Sequence, residues 1–393
     1  MIAINGKFRI GDERRERLID AARDLGRRHA AGAALHDQDG TVHRALLDDL
    51  CAMGYHAAPI NYRHGGGSHR LVDVVLAQAA LAEYDPATAL GIGMHLMVVG
   101  SESVAKTWPE WRRQQLFREV SKDGALLNVL ATEPLMGAPQ GDAPPVTTAI
   151  PDGHGRWKLH GEKVYSTFAP VLSYAVVYAS IGDGSGDVAR ILVRMDDARI
   201  GIEETWDTAG MRATASHTVH FAGVPVSERD ILARFPFSRR ASRPAMGPWF
   251  ALPVAAVYLG IARAARDEAV RTVQHPRAGQ REAAASESRR LLAEIERRLL
   301  VSEAILVSAA AEADGDQRTA PGLSPLEAAA KVEVTQSAIT VVDLAVRIAG
   351  GSALRRGIRL ERAWRDMRCG SVHPPIEASA NELLADYALA RRP

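Results

Sequence analysis

The sequence has little of what marks secreted, disulfide-rich or membrane-spanning chains. Only two of its 393 residues are cysteines, Cys51 and Cys369, which is too few for a disulfide framework and fits a reducing cytoplasm. No stretch of about 18 residues is uninterruptedly apolar. The N-terminal residues also lack the apolar segment of a secretory signal. We therefore expect a cytoplasmic chain that does not enter the membrane.

Charge of one sign is lacking as well. Lys and Arg number 48 and Asp and Glu 47, so the formal net charge is +1. No strong electrostatic field therefore points to nucleic acid or to an anionic lipid surface as a partner. Hydrophobic residues at 47% and charged residues at 24% are ordinary for a globular protein. The histidines lack the spacing of metal ligands, so we predict no metal site.

The residue pattern of the chain changes from helical to β-rich and back to helical. Residues 13–31 place apolar side chains at spacings of three and four, which indicates an amphipathic helix, and helical patterns continue through the first third. Short runs rich in Val, Ile, Tyr and Phe, separated by Gly, Asp and Pro, then indicate an antiparallel β domain. Long helical segments follow from about residue 247 and predict a bundle. We predict an α+β fold with an N-terminal α-helical domain (1–123), a central antiparallel β domain (124–235) and a C-terminal four-helix bundle (236–393).

The last of the long helical segments carries signals at both of its ends. Ser324 and Glu327 form the sequence of a capping box, with Pro325 between them at the first helical position. Gly350 and Gly351 follow the last periodic residue and fit a C-cap. The sequence therefore predicts a helix between these two points.

Four segments stand out together, in a fixed order. In that order and spacing they resemble hallmarks of the acyl-CoA dehydrogenase superfamily of flavoproteins, and the resemblance runs from about residue 70 to the C-terminus. It implies FAD or FMN in a cleft between the domains, a small-molecule substrate and usually a homotetramer. The segments are LLNVLATEPLMGAP (126–139), LHGEKVYSTFAPVLSYAVVYA (159–179), GMRATASHTVHFAGVPV (210–226) and RIAGGSALRRGIRLERAWRDMR (347–368).

A flavin ring needs hydrogen-bond donors and a flat apolar wall. Thr132 and the backbone amides of Thr132 and Glu133 are candidate donors near a strand end. Tyr165 and Thr167 alternate around Ser166 and therefore point to the same side of a strand. In the family pattern Thr167 matches the partner of flavin N5, and Tyr165 matches the aromatic residue that faces the ring.

Glycines supply the remaining predicted cofactor contact. Gly350 and Gly351 would let the backbone approach a pyrophosphate closely. Each of these motifs also has an ordinary structural explanation, as a turn, a strand surface or a helix end.

The catalytic carboxylate of a dehydrogenase is missing from both of its usual places. Acyl-CoA dehydrogenases abstract a proton with a glutamate that follows an Arg-Asp pair at a fixed offset. Counting from Arg365-Asp366, that place holds Pro374, and the tyrosine place before it holds His373. The other family location, on the first bundle helix, holds Phe250. Glu377 could serve only if the backbone were shifted, and its alternative role is to cap the last helix.

A second departure concerns the binding of FAD. Dehydrogenases usually carry an Arg-x-x-Phe-Gly segment that helps hold FAD across a subunit interface, and the corresponding stretch 275–284 (HPRAGQREAA) has no phenylalanine. We expect this loss to weaken the affinity for resting flavin. A protein that takes reduced flavin from a reductase would tolerate it.

These departures resemble the reduced-flavin monooxygenase branch of the superfamily. That branch often shows Gly-x-Lys-x-Tyr-Ser-Thr, which matches residues 161–167, and a run that ends in Leu-His-Asp-Pro, which matches 372–375 in part. It also has a histidine before the β domain, here His95. The resemblance therefore implies a catalytic set of His95, Ser166 and His373. The match is incomplete, because Pro374 stands where the branch has aspartate and Gly370 where it has an earlier histidine.

Three functions remain open at this point. The first is a two-component monooxygenase that takes FADH₂ or FMNH₂ from a separate, transiently bound reductase and hydroxylates or N- or S-oxidises a small organic molecule. In it, His373 would donate a proton and Ser166 would bond flavin N5. The second is an acyl-CoA or acyl-carrier dehydrogenase with a displaced base. The third is a family member that binds flavin without catalysis. As alternatives, His95 is a core histidine and His373 a loop histidine bonded to the backbone.

Overall fold

The computed structural model describes residues 13–134, 143–153, 155–237, 247–275, 282–315 and 322–390. The N-terminal part is helical, as the apolar periodicity predicts. Asp85 caps the fifth helix by accepting a hydrogen bond from the Thr88 amide, and Pro86 occupies its first turn. The helices are α1 Glu13–Arg28, α2 Ala30–Asp39, α3 Arg44–Ala52, α4 Leu71–Ala82, α5 Pro86–Ala105 and α6 Glu110–Asp123.

A single eight-stranded sheet forms the centre of the chain. Its strands are β1 Leu127–Leu130, β2 Thr148–Gly153, β3 Arg156–Ser166, β4 Tyr174–Ile181, β5 Asp187–Arg194, β6 Ile200–Glu203, β7 His217–Ser227 and β8 Ile231–Pro236. They run in the order β6-β7-β3-β2-β4-β5-β8, and β1 pairs with β4. The predicted antiparallel pairing holds for most neighbours, but β1 and β2 both pair parallel with β4. The sheet is therefore mixed, because β1 and β2 reach β4 through crossovers instead of hairpins.

The C-terminal part consists of α7 Pro248–Gln274, α8 Glu282–Gly315, α9 Pro325–Ala349, α10 Arg359–Asp366 and α11 Glu377–Ala390. The three long helices α7, α8 and α9 pack against one another, and α10 and α11 pack onto α9. The predicted ends of α9 are confirmed. Ser324 and Glu327 form a reciprocal capping box, and Gly350 with φ of 68° closes the helix. Most of the stretch 275–284 and residues 135–139 of the first family segment lie outside the described residues.

Three of these helices are apolar enough to cross a membrane by length and composition alone. They are α5, α7 and the segment Pro325–Leu354 that contains α9. The expectation drawn from uninterrupted apolar runs missed them, because a few charged or polar residues interrupt each one. In the fold, α5 and α7 are largely buried against their neighbours, and that burial accounts for their composition.

Two glycines on α5 allow a loop of the sheet and the start of the bundle to approach this helix closely. A Cβ on Gly91 would lie 2.1 Å from Cζ of Phe168, in the loop after β3. A Cβ on Gly100 would lie 2.2 Å from the ring of Trp249, in the first turn of α7. Both distances are far below van der Waals contact, so glycine is required at both positions. Helix α5 therefore packs against a loop of the sheet at one turn and against the start of the bundle at another.

Candidate functional site

Strained backbone marks two neighbouring loops at one end of the sheet. Tyr165 and Phe168 at the end of β3 have positive φ, as have Met211 and Ala215 before β7. Non-glycine residues avoid this region, and such conformations cluster at functional sites. Hydrogen bonds from the surrounding structure must therefore impose these conformations.

A chain of hydroxyl groups joins the two loops. Oγ1 of Thr167 lies 3.0 Å from Oγ of Ser216, which lies 2.8 Å from Oγ1 of Thr214. The Thr214 hydroxyl donates to the Met211 carbonyl at 2.9 Å, and the Phe168 amide donates to the Thr214 carbonyl at 2.9 Å. The predicted N5 partner Thr167 is thus held by side chains from the GMRATAS segment.

Tyr165 presents an aromatic surface at this end of the sheet. Tyr165 is 64% exposed, which is unusual for a large aromatic residue. The ring of Trp206 contacts its ring edge-on, with 5.9 Å between the centroids. Ser166 behaves oppositely, since it is buried and its hydroxyl donates to the Lys163 carbonyl at 3.3 Å. The hydroxyl of Ser166 is therefore already engaged within the fold, whereas Tyr165 is available to a ligand.

Thr132 and Glu133 have separate roles. The Thr132 carbonyl accepts the Val164 amide at 3.0 Å, and its hydroxyl makes no bond to another described residue. Glu133 is buried and forms an ion pair with Lys163 at 2.6 Å. Its carboxylate also accepts the amides of Val146 and Thr147 at 2.8 and 2.9 Å. Burial opposes its ionisation, but Lys163 and these donors outweigh that effect and lower the pKa of Glu133. Glu133 therefore anchors the β1 end, and the Thr132 hydroxyl has no partner in the described part of the chain.

His95 is a core histidine with both ring nitrogens in use. Nδ1 accepts the Leu127 amide at 2.9 Å, so Nε2 carries the hydrogen and donates to the His56 carbonyl at 3.0 Å. Burial, with a smaller effect from the His56 ring, lowers the pKa of His95 to about 3. His95 fastens α5 to the start of β1. This geometry matches the core alternative and leaves neither ring nitrogen free for the predicted place in the catalytic set.

His373 lies on the bundle, in the turn between α10 and α11. The Tyr258 hydroxyl on α7 is 2.8 Å from Nδ1 of His373, and the Lys331 ammonium on α9 donates to the backbone carbonyl of His373. Burial, together with the charge of Lys331, lowers the pKa of the half-buried His373 imidazole to about 4. His373 is therefore neutral at physiological pH.

The tautomer of His373 follows from its neighbour. Tyr258 is fully buried, and burial raises the pKa of its hydroxyl well above the ordinary value, with the charges of Cys369 and Asp366 adding to the effect. A buried hydroxyl needs an acceptor, and within the described part of the chain Nδ1 of His373 is the acceptor at hand. Nδ1 then accepts and Nε2 carries the hydrogen. Nε2 has no partner among the described residues.

Asp366 connects the turn of His373 to the strained loops of the sheet. Its carboxylate accepts the Met211 amide at 2.6 Å, and the guanidinium of Arg365 donates to the Ala209 carbonyl at 3.0 Å. A Cβ on Gly210 would lie 2.5 Å from the carbonyl oxygen of Arg365, so the GMR segment touches the end of α10 backbone to backbone. The 210–216 segment thus links Thr167 to Asp366, and we call this meeting of the sheet loops with the start of the 366–373 turn the joint.

Gly350 and Gly351 are not part of this joint. They lie at the C-terminal end of α9, whereas Lys331, which contacts His373, lies near its N-terminal end. The intervening helix is about 28 Å long. The predicted pyrophosphate contact is therefore far from the turn of His373 within one copy of the chain.

These residues fit the ring of a flavin. The exposed Tyr165 offers an aromatic surface, and the hydroxyl of Thr132 and Nε2 of His373 are polar groups without partners in the described ranges. The strained loops carry hydroxyls already aligned by hydrogen bonds. In the same ranges no group of three or more His, Cys, Asp or Glu side chains is arranged to hold a metal ion. The joint is thus suited to a planar organic cofactor with polar edges.

Tyr258, Lys331 and Trp206 are site residues that the sequence did not reveal. Tyr258 and Lys331 lie within apolar helical segments, where a tyrosine or lysine gives no local signal of its partner. The sequence around Lys331, LEAAAKVEVTQSAITVV, also contains glutamates and other polar residues, so this lysine could not be distinguished from one on a solvated helix face.

Comparison with known proteins agrees with this architecture. Models of the N-terminal, middle and C-terminal domains of acyl-CoA dehydrogenase match residues 12–122, 128–224 and 249–373. The chain is 34% identical, over 91% of its length and 92% of the relative, to the putative acyl-CoA dehydrogenase YdbM of Bacillus subtilis (strain 168). It is 31% identical, over 95% of its length and 90% of the relative, to L-evernosamine nitrososynthase of a Micromonospora species.

A solved structure gives the same picture. KijD3 in complex with FMN and dTDP-3-amino-2,3,6-trideoxy-4-keto-3-methyl-D-glucose superposes with a TM-score of 0.84 at 27% identity. The superposition covers 98% of this chain and 96% of that one. A protein of the same fold therefore binds a flavin, and flavin is the cofactor that the residues of the joint have to fit.

Proposed function

The chain belongs to the acyl-CoA dehydrogenase family of flavin-dependent oxidoreductases, and from this premise we propose that it is a reduced-flavin monooxygenase. The observation that carries the proposal is the neutral His373, held by Tyr258 at the place where a dehydrogenase presents its acid–base machinery. A neutral imidazole with a free Nε2–H can donate a proton. It cannot replace a carboxylate base poised against a thioester.

The carboxylates around the joint do not replace the missing base. Glu133 is occupied by Lys163 and two backbone amides. Asp366 is buried and bonded to the Met211 amide. Glu377 is the exposed first residue of α11. Abstraction of an α-proton requires a free carboxylate oxygen in a desolvated position. Glu133 has no free oxygen, Glu377 is not desolvated, and Asp366 has one oxygen engaged by the backbone of the sheet.

The residues that would hold the flavin are those of the joint. The Thr132 hydroxyl, the Tyr165 ring and the aligned Thr167 hydroxyl would bind the ring system, and Nε2 of His373 would donate to its reactive edge. When bound, reduced flavin supplies the two electrons that place one atom of O₂ on the substrate and release the other as water. Such chemistry needs water excluded. Met94 and Trp249 are buried and Phe250 is half-buried where α5 meets α7, and they supply an apolar wall.

We place the nitrogen of a primary amine first among the substrates. L-evernosamine nitrososynthase and the KijD3 complex, which contains an amino sugar nucleotide, are both similar over nearly the whole chain. Oxygenation of an amine also suits a neutral site, since the attacking lone pair exists only on the unprotonated amine. Hydroxylation and S-oxidation use the same electrons and remain the next classes to test.

The test is anaerobic loading with FADH₂ or FMNH₂ followed by rapid mixing with oxygenated buffer. We expect oxidised-flavin absorbance to return more slowly than in free solution. We expect His373→Ala to lower amine-dependent product formation by about 100-fold, the usual scale for a lost proton donor. His220→Ala, at a partly exposed histidine on β7, is the matched control and should behave as the wild type. Return of absorbance at the free rate in the wild type would refute the proposal.

One observation favours a second candidate, an acyl-CoA dehydrogenase. The relative YdbM, at 34% identity, is a putative enzyme of that kind. This function predicts bleaching of bound oxidised flavin by an acyl-CoA thioester. It also predicts loss of that bleaching in Glu377→Gln. A panel of acyl-CoA thioesters under anaerobic conditions therefore separates the two candidates. No bleaching is expected from the monooxygenase.

A further inference from the structure

Lys331 is a buried cation without a buried anion. It is 2% exposed, and its ammonium donates to two backbone carbonyls, those of Gly370 at 3.1 Å and of His373. No carboxylate of the described residues lies within ion-pair distance of it. Carbonyl oxygens solvate an ammonium only in part, so an isolated ammonium at this depth costs several kcal/mol.

A second deeply buried lysine of this fold has a carboxylate partner. Lys163 is as deeply buried, and Glu133 stands 2.6 Å from it. Lys331 has no such partner, although it faces the same interior of α7 and α9 that Val334 and Val341 fill with apolar atoms. A leucine or methionine would fill this place without the cost of burying a charge. Retention of the cation therefore indicates that the charge itself is used.

We infer that Lys331 is a positioning residue whose ammonium holds the 370–373 turn through the carbonyls of Gly370 and His373, with Tyr258 fixing the tautomer of His373, so that Nε2–H is presented to flavin or substrate. This inference rests on the proposed function and goes beyond it, because it assigns the state of His373 to two residues on different helices. Lys331 acts through His373 and does not itself touch the reacting atoms.

The groups around His373 determine the direction of the effect. Lys331 faces it from α9 and Tyr258 from α7. Asp366 and Cys369, on its own side of the turn, act on the Tyr258 hydroxyl. Asp366 is in turn bonded to the Met211 amide of the sheet. Since Lys331 is the charge that acts on the imidazole, its removal should raise the pKa of His373.

The direct test is histidine-selective NMR on the full-length, flavin-free protein. With ¹³C and ¹⁵N in the imidazole rings, His373→Asn identifies the resonance, and a pH titration gives its midpoint and tautomer. We expect the wild type to show the Nε2–H tautomer and a midpoint below that of an ordinary histidine. In Lys331→Gln and Lys331→Met the midpoint should rise by about one pH unit. Thr335→Val, one turn further along α9 and uncharged, should leave it in place.

A structural role would give a different result. It would lower the melting temperature of the Lys331 variants and leave the His373 midpoint unchanged, and that result overturns the inference. An ordinary midpoint, or the Nδ1–H tautomer, in the wild type overturns it without any variant. Tyr258→Phe should shift the tautomer toward Nδ1–H while the Lys331 carbonyl contacts persist.

The flavin experiment separates this inference from the proposed function. If reoxidation is slowed in a His373-dependent way but Lys331→Gln leaves the pH profile of product formation unchanged, the inference fails and the function stands. If the NMR shifts appear but the wild type reoxidises flavin at the free rate, the monooxygenase function fails and the electrostatic assignment of Lys331 survives.

Discussion

At the scale of single residues, charge is used in two different ways. Lys163 and Glu133 neutralise each other and tie the end of β1 to β3, which is the usual way for a protein to bury a charge. Among the described residues Lys331 has only carbonyl partners, and these lie in the turn that carries His373. In the first arrangement each charge has an opposite partner, whereas in the second the desolvation of the ammonium is offset only by carbonyl oxygens.

The burial of Lys331 predicts how stability depends on pH. Burial lowers the pKa of Lys331 from an ordinary value of 10.5 to about 8. Between these values the unfolded chain binds a proton that the folded chain lacks, so the free energy of unfolding rises with pH. Relative to Lys331→Gln, the wild type should gain about 2 kcal/mol between pH of about 7 and about 10. Urea unfolding at both pH values measures this gain. A constant difference between the two proteins would show that the lysine does not titrate in this range.

At the scale of elements, α5 sets the position of the strained loops. Its Gly91 admits the ring of Phe168, which has positive φ and directly follows Thr167. We predict that Gly91→Ala lowers stability by about 1–3 kcal/mol, because the added methyl group overlaps the ring. It should also weaken flavin binding, since the Thr167 segment must move with Phe168.

Gly315→Ala is the control for this change. It adds the same methyl group at the end of α8, where none of the described residues lies within 4 Å. Urea unfolding and fluorescence titration with flavin should show little change there. Weakened flavin binding in both variants, or in neither, would show that α5 does not position the flavin-binding loops.

Elements were also the level at which the sequence predicted most. The capping box at Ser324, the end of α9 at Gly350 and the alternation of helical and β-rich segments all depend on neighbours within a few residues, and the structure shows them. The parallel pairing of β1 with β4 joins residues far apart in sequence. Positive φ at Tyr165 falls where the pairing of β3 with β7 shifts register between Lys163 and Ser166, and no local pattern indicates it.

The candidate site divides along the same line. Motif resemblance led to Thr132, Tyr165, Thr167 and His373, whose surroundings suit a flavin. It also led to His95, whose two ring nitrogens the backbone uses. Which partner a buried histidine finds depends on long-range packing. For the same reason the contacts of Tyr258 and Lys331 with the 370–373 turn could not be read from the sequence.

At the scale of the whole molecule, the separation along α9 bears on how the flavin is held. Gly350 lies about 28 Å of helix from the Lys331 end, where His373 stands. A dinucleotide that uses both ends would take its ring contacts from one copy of the chain and its pyrophosphate contacts from another. A mononucleotide would need only the joint. Binding of FAD in this way would therefore require the assembly of several copies that the sequence leads us to expect, whereas FMN could bind to a single copy.

Mixing two defective variants answers that question. We predict that His373→Ala and Gly351→Asp each lose most flavin-dependent activity alone. Co-expressed in equal amounts and purified together, they should recover about a quarter of the wild-type activity, because random pairing leaves that share of shared sites intact. Recovery identifies a site built from two copies. If Gly351→Asp alone keeps full activity with FMNH₂, one copy holds the whole flavin and the di-glycine only ends α9.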